Sequence, residues 1–139
     1  ITALTAGQAI AFGAFAARSY TVASSTGTAA TLTGNNCKLR TSYATTAVGD
    51  IRISTTAALT AGTFVADSQP FGQSAGGVAA AGSGLAEATL FDNYEAGHPL
   101  ICANNEGFVI QSRIAFPAAG TWTFGVTVKW TEVTAAEWG

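Results

Sequence analysis

The segment from Trp122 to Trp130 constrains the fold more than any other part of the chain. Five apolar side chains occupy its alternate positions: Trp122, Phe124, Val126, Val128 and Trp130. Threonines and Lys129 fill the positions between them, and Gly125 is the single gap on the polar side. Successive side chains of a β-strand point to opposite faces, so this pattern predicts a strand with one buried face. Such a strand needs a sheet and a core to cover that face.

Shorter runs of the same kind recur along the chain, and one of them extends from Phe108 to Phe116. Phe108 and Ile110 share a face there, and we add them to the five alternating residues as the predicted core. Gly, Asn, Asp and Pro separate the runs, and no segment keeps apolar residues at helical spacing over several turns. This organisation predicts a single all-β domain, an antiparallel β-sandwich or jelly roll, with the sandwich over residues 16–134 and a C-terminal tail over 135–139.

Residues 1–15 are apolar and interrupted by Gly13, which leaves two interpretations open. They form either the first strand or an N-terminal arm that contacts another subunit. The apolar residues of the candidate arm are Ile1, Leu4, Ile10, Phe12 and Phe15. The chain starts at Ile1 and contains no methionine, which is compatible with proteolytic processing, with trimming or with a preceding leader.

The segment from Gly72 to Gly84 has a different composition, because it consists almost entirely of Gly, Ala and Ser. Such a composition predicts a long flexible Gly/Ala-rich loop. Long loops inside compact domains are usually functional or disordered. The segment is therefore expected either to reach over a neighbouring subunit or to form a mobile surface loop.

The chain carries few charges, which bears on its partners. Only 10% of its 139 residues are charged, while 48% are hydrophobic, and the formal net charge is −2. Soluble domains average about a quarter charged residues. A surface with so few charges favours burial against other subunits. The six basic residues are scattered, which argues against binding of nucleic acid or of anionic membranes.

Residues able to carry chemistry are sparse, so we expect no enzyme, no cofactor and no metal. His98 is the single histidine, and it lacks the Gly-x-Ser-x-Gly motif of a hydrolase. Cys37 and Cys102 are expected to be buried free thiols, with a bridge between them as the alternative. A calcium site in the turn of residues 92–95 was weighed against ordinary turn chemistry, which we favour because the order of ligands in a calcium loop is absent.

Two blocks near the C-terminus carry a resemblance to a known class of proteins. They read PLICANNEGFVIQ from Pro99 and FPAAGTWTFGVTVKWTEV from Phe116, and together they cover about a quarter of the chain. An apolar strand, a Glu-Gly step, a Gly-Thr-Trp turn and a final alternating strand ending in Trp-x-Glu resemble the C-terminal part of small virion structural proteins of tailed bacteriophages.

The resemblance implies a non-enzymatic capsid decoration or cement protein that stabilises the shell through subunit contacts. Its implied partners are the major capsid protein or other virion subunits and further copies of itself, with a trimer favoured. The implied location is the virion, assembled in the host cytoplasm. A tail, fibre or baseplate component is the first alternative. A carbohydrate-binding module is the second, and it would use exposed aromatic residues such as Tyr94 and Trp138.

Overall fold

The computed structural model describes seven stretches of the chain, and every structural statement below refers to them. They are residues 7–20, 27–30, 51–54, 64–78, 88–92, 98–116 and 124–132. These residues form six strands, all paired antiparallel, and contain no helix. The prediction of an all-β chain with antiparallel strands is therefore confirmed for the described residues.

The strands fall into two compact units, which are treated separately. The units comprise Ile1–Val22 with Thr63–Phe124, and Ala23–Gly62 with Gly125–Gly139. The first unit contains four strands and the second contains two. In chain order the six are β1 (Gln8–Arg18), β2 (Thr28–Ala29), β3 (Arg52–Ile53), β4 (Val65–Ala66), β5 (Gly72–Val78) and β6 (Gly107–Ser112).

Strand β1 is the centre of the sheet in the first unit. Residues 8–14 of β1 pair with β5, and residues 12–17 pair with β6. Because these ranges overlap, β5 and β6 must lie on opposite edges of β1. Residues 17 and 18 pair with β4, and residue 17 already pairs with β6 on the other edge. Strand β4 therefore lies on the same edge of β1 as β5.

A bulge separates β4 from β5 along that edge. Ala17 pairs with Ala66 and Ala14 pairs with Gly72, so residues 67–71 stand opposite only residues 15 and 16. Two hydrogen bonds fix the ends of the bulge, from the Asp67 amide to the Ala16 carbonyl and from the Phe71 amide to the Ala14 carbonyl, each 2.8 Å long. Pro70, which lacks an amide hydrogen, is accommodated between them.

The core of the described residues is built on β1. Its buried hydrophobic residues are Ile10, Ala14, Phe15 and Ala17. Even-numbered and odd-numbered residues of a strand point to opposite faces of the sheet. Since both parities are buried between residues 13 and 17, the middle of β1 is covered on both faces.

Gly13 does not interrupt β1, although the sequence suggested a break there. A methyl group at this position would lie 2.7 Å from Cε2 of Phe15 and 3.2 Å from Cδ of Arg113. The glycine therefore leaves space for the buried Phe15 ring. The Arg113 side chain also uses this space, and its Nη1 donates a hydrogen bond to Oε1 of Gln73.

Three predictions about the first unit are corrected or narrowed by this architecture. Of the two interpretations of residues 1–15, the strand applies to the described part, because Ile10, Phe12 and Phe15 belong to β1 and Ile10 and Phe15 are buried. These residues do not form an arm, since a central strand is paired on both edges. The predicted boundary after residue 15 falls inside β1. Ile1 and Leu4 lie outside the described residues.

The Gly/Ala-rich segment is also different from the prediction. Gly72–Val78 is a seven-residue strand and not a loop. Its register with β1 is continuous from Gly72 opposite Ala14 to Val78 opposite Gln8. Main-chain pairing to a central strand compensates for the low strand preference of Gly and Ala. Residues 79–84 of the predicted loop lie outside the described residues.

Gly72 is placed where another main-chain segment passes very close to β5. A methyl group at Gly72 would clash with the carbonyl oxygen of Leu90 and would lie 3.1 Å from Cβ of Phe91. The rings of Phe91 and Phe71 meet edge to face beside it, with centroids 5.1 Å apart. Only glycine fits this crossing, which holds residues 90 and 91 against the start of β5.

The residues just before β6 form a tight turn. The Glu106 amide donates to the Ala103 carbonyl at 3.1 Å, and the Ala103 amide donates to Oε2 of Glu106 at 3.0 Å. Asn105 adopts the left-handed conformation with φ 63°, which asparagine tolerates. Its carbonyl accepts a 2.8 Å hydrogen bond from the Tyr20 amide, which links the turn to the chain just after β1.

The second unit contains one short ladder. Thr28 pairs with Ile53 and Ala29 with Arg52, and the Ala30 amide donates to the Ile51 carbonyl at 2.9 Å. These two short strands are part of the all-β organisation expected for residues 16–134. The predicted tail of residues 135–139 lies outside the described residues.

Candidate assembly surface

Three phenylalanines form the largest aromatic cluster among the described residues. Ring centroids lie 4.8 Å apart for Phe12 and Phe124, 5.3 Å for Phe116 and Phe124, and 5.7 Å for Phe12 and Phe116. Such edge and tilted contacts stabilise aromatic clusters beyond the burial of their surface. Phe124 nevertheless keeps 43% of its surface exposed, so the cluster is covered on one side only.

Further large apolar side chains are exposed around this sheet. Val65 lies at its edge opposite Arg18, and Phe108 lies opposite Ala16 on β6. Opposite residues share a face, and residues 16 and 18 have the same parity, so Val65 and Phe108 point to the same side as Phe12. The exposed apolar residues of this unit are Val65, Ile101, Phe108, Ile114 and Phe124.

The segment of residues 124–132 differs from its prediction as a half-buried strand. The structure assigns it no strand, and every residue of it is exposed. Val126 and Val128 expose 61% and 39% of their surface, and Trp130 exposes 41%. The Trp130 indole donates to Oε1 of Glu132 at 3.0 Å, so its polar atom is satisfied at the surface.

These placements correct the predicted core. Phe124, Val126, Val128, Trp130 and Phe108 each keep between 39% and 61% of their surface exposed. Ile110 alone of the described members is half-buried. Trp122 lies outside the described residues. The alternation identified the side chains that favour burial, but the described part of the chain does not supply what would bury them.

A shallow apolar hollow lies beside the Phe71–Phe91 pair. Its volume is about 170 Å³. The lining residues are Phe71, Phe91, His98, Pro99, Leu100 and Ile101. The imidazole of His98 is the only ionisable group among them, so the hollow offers neither a nucleophile nor a carboxylate to work with that ring. Its described lining can accept an apolar group.

Cys102 follows this hollow in the chain, and its thiol is free. It is exposed, whereas the sequence suggested a buried thiol. Partial desolvation of the sulfur, with a smaller contribution from the negative charge of Glu106, raises the pKa of the Cys102 thiol. A raised pKa keeps the thiol protonated near neutral pH and makes it a poor nucleophile. Cys37 lies outside the described residues.

One exposed ion pair joins the end of β1 to the bulge. Nη2 of Arg18 donates to Oδ2 of Asp67 at 2.8 Å, and Nε donates to Oδ1 at 3.3 Å. These hydrogen bonds from the guanidinium lower the pKa of Asp67, and the same pair raises the pKa of Arg18. The pair lies beside Val65 at the edge of the sheet, where it helps to fix the bulge.

The described residues contain neither a cluster of metal ligands nor a membrane-spanning helix. No group of three or more His, Cys, Asp or Glu side chains that could hold a metal ion occurs among them. Of the turn considered for calcium, Asp92 is described while Asn93 and Glu95 are not. Within the same stretches, no helix is long and apolar enough to cross a membrane.

Comparison of the chain with protein-family models, with curated proteins and with solved structures finds no match.

Proposed function

We propose that this chain is a non-enzymatic structural subunit that works by packing against other protein chains. The observation that carries the proposal is the exposure of large apolar side chains. Nine of them are exposed in the described stretches, whereas the buried hydrophobic residues there are four. Exposed apolar patches mark surfaces that bind other proteins.

The energetics favour association over an isolated chain. Full burial of a Val or Phe side chain contributes about 1.5–3 kcal/mol relative to exposure. Val126, Val128, Trp130 and Phe108 together therefore represent a substantial driving force for association. With 10% of its residues charged and a formal net charge of −2, the chain offers little charge repulsion to oppose contacts between copies.

The specific form of the proposal is a capsid decoration or cement protein of a tailed bacteriophage. It draws on the resemblance of the two C-terminal blocks, together with the exposed apolar surface. The proposed partners are the major capsid protein and further copies of the chain, with a trimer favoured, and the proposed location is the virion. We further propose that the antiparallel sheets belong to a β-sandwich or jelly roll.

The parent particle provides the test. Purified virions would be separated into heads and tails, and the chain would be located by mass spectrometry of each fraction. We expect it in the heads. Heads stripped of the chain should release their DNA at lower temperature, and adding the purified chain back should restore the original temperature.

Substitutions sharpen this experiment. Adding Phe108→Asp chain should restore the heads less well than wild type, because a carboxylate replaces an exposed apolar side chain. Gln111→Asp, on an exposed position of the same strand and the opposite face, is the matched control. Recovery of the chain only in tails would favour the tail alternative. Its absence from the particle, with binding of glycans by the isolated chain, would overturn the proposal.

A further inference from the structure

Among the described residues, one edge of β5 has no partner strand, and the direction of its main-chain groups can be derived. The Arg113 amide donates to the carbonyl of Ala11, so odd-numbered residues of β1 direct their main chain towards β6. The carbonyls of Ala14 and Ala16 accept bonds from the β4–β5 side, so even-numbered residues point there. In an antiparallel ladder, the main-chain amides and carbonyls of two directly opposite residues either hydrogen-bond each other or both point away from the partner strand.

It follows which groups of β5 point outward. Gly72, Ser74 and Gly76 stand opposite Ala14, Phe12 and Ile10, so their main chains point towards β1. The amides and carbonyls of Gln73, Ala75 and Gly77 point to the other side. No hydrogen bond between described residues uses these outward groups, and all three residues are exposed.

Within Gly72–Val78 the outer edge of β5 carries no charged residue and no proline, and the bulge with Pro70 ends before the strand begins. Proteins usually guard such edges with charged residues, prolines or bulges. The chain carries no charge from Ser68 to Ala86, and Pro70 precedes the strand. Strand β6 provides the contrast, because Glu106 and Arg113 flank it directly at its two ends.

Residues 125–131 have the side-chain pattern of a strand but no partner strand among the described residues. They alternate apolar and polar side chains as a strand does, yet they form no strand. No main-chain hydrogen bond between described residues involves them. Their apolar side chains Val126, Val128 and Trp130 are exposed. The segment has seven residues, which is the length of β5.

We infer that residues 125–131 of one copy pair with the outer edge of β5 in a second copy. Each segment supplies what the other lacks: an edge with free amides and carbonyls on one side, and a strand-forming segment with an uncovered apolar face on the other. Addition of a strand to a sheet edge is an established mode of protein recognition. The occupant is a second copy because, among the described residues, residues 125–131 form no pairing with β5 of their own chain.

This inference rests on the proposed assembly role and specifies how copies join. The donor and acceptor surfaces differ, so the contact is heterologous and generates a ring, a reciprocal pair or, where the rotation does not close, an open filament. A ring of three copies would be the trimer that we favour.

The first test measures the mass of the full-length chain in solution by light scattering over a range of concentrations. We expect an oligomer for wild type. Val128→Asp should give single chains, because it places a carboxylate on the face that the second copy buries. Thr127→Asp adds the same charge on the opposite face and should leave the oligomer intact. Both side chains are exposed in the isolated chain, so neither substitution disturbs its folding.

The acceptor is tested with Ala75→Pro. This substitution removes an outward amide but no amide that bonds β1, so the sheet of the chain itself should persist, as circular dichroism would show. We expect single chains here as well. Ala75→Thr, which keeps the amide, should remain an oligomer.

Complementation with a peptide makes the test independent of the oligomer. A fluorescently labelled peptide with the sequence of residues 124–132 should bind the Val128→Asp chain, whose β5 edge is free. Binding should weaken at least tenfold when Ala75→Pro is added to that chain. A peptide with the same residues in scrambled order is the control.

Three results would overturn the inference. They are a wild-type chain that is monomeric at every concentration, an oligomer that neither Val128→Asp nor Ala75→Pro changes, and an affinity for the peptide that Ala75→Pro does not lower. Binding of the chain to stripped heads is measured separately. If head binding is retained while any of these three results is found, the assembly role is supported but the pairing of residues 125–131 with β5 is rejected. If the masses are as expected but the chain does not bind stripped heads, pairing of residues 125–131 with β5 is supported and the proposed role in the head is rejected.

Discussion

At the scale of single residues, Gly72 is the position where the structure least tolerates a side chain. Its position beneath the Leu90 carbonyl has no space for a side chain. We expect Gly72→Ala to destabilise the chain by about 1–3 kcal/mol, the usual range for overpacking, as measured by denaturant unfolding. Gly77→Ala is the matched control on the same strand, because a methyl group there would lie 3.8 Å from its nearest neighbour, the Gln8 carbonyl. Equal stability of the two variants would contradict the close crossing.

Cys102 gives a second prediction at this scale, concerning its reactivity. Its raised pKa predicts that alkylation by iodoacetamide at pH 7.5 is slower than that of free cysteine (pKa ~8.5), because the thiolate is the reactive form. Glu106→Gln should accelerate the reaction modestly, since it removes the negative charge that contributes to the shift. The measurement uses a Cys37→Ser chain so that one thiol is followed. A faster rate than free cysteine would contradict the assignment.

At the scale of elements, the Arg18–Asp67 pair links β1 to the bulge, and its contribution depends on pH. The pKa of Asp67 is lowered in the folded chain, so the pair stabilises above the ordinary Asp pKa. That contribution is lost as pH falls through the lowered value. In a cycle of Arg18→Gln, Asp67→Asn and the double variant, we expect a small favourable coupling at pH 7 that disappears at low pH and in high salt. Coupling that persists in acid would indicate a different interaction.

The elements also show how far local sequence determines this fold. The alternating run from Phe108 predicted β6, whereas the apolar run of residues 1–15 predicted either the first strand or an arm, and β1 decides for the strand in its described part. Strand β5 was predicted as a loop, because Gly, Ala and Ser have little strand preference and no apolar period. Its strand state comes from pairing with β1, a contact between residues about sixty positions apart, such as Gly13 and Gln73.

The segment of residues 124–132 shows the opposite case. Its alternation predicted a strand and a core, and the structure leaves it exposed. Alternation specifies which side chains favour burial, but it does not specify which chain buries them. Of the candidate assembly surface, the sequence therefore identified the residues Phe124, Val126, Val128 and Trp130. It could not identify the β5 edge, whose free amides belong to main chain and not to any side-chain pattern.

At the scale of the whole molecule, association and stability should be coupled. If copies join through residues 125–131, folded chains bury apolar surface against each other. Because association involves only the folded state, mass action stabilises that state as concentration rises. We expect the Tm of wild type, measured by differential scanning fluorimetry, to rise by several degrees over about a hundredfold range of concentration. The Tm of Val128→Asp should not depend on concentration, whereas Thr127→Asp should behave as wild type. A wild-type Tm that is constant over this range would mean that the folded chain does not need its copies, and the exposed apolar surface would then require a different partner.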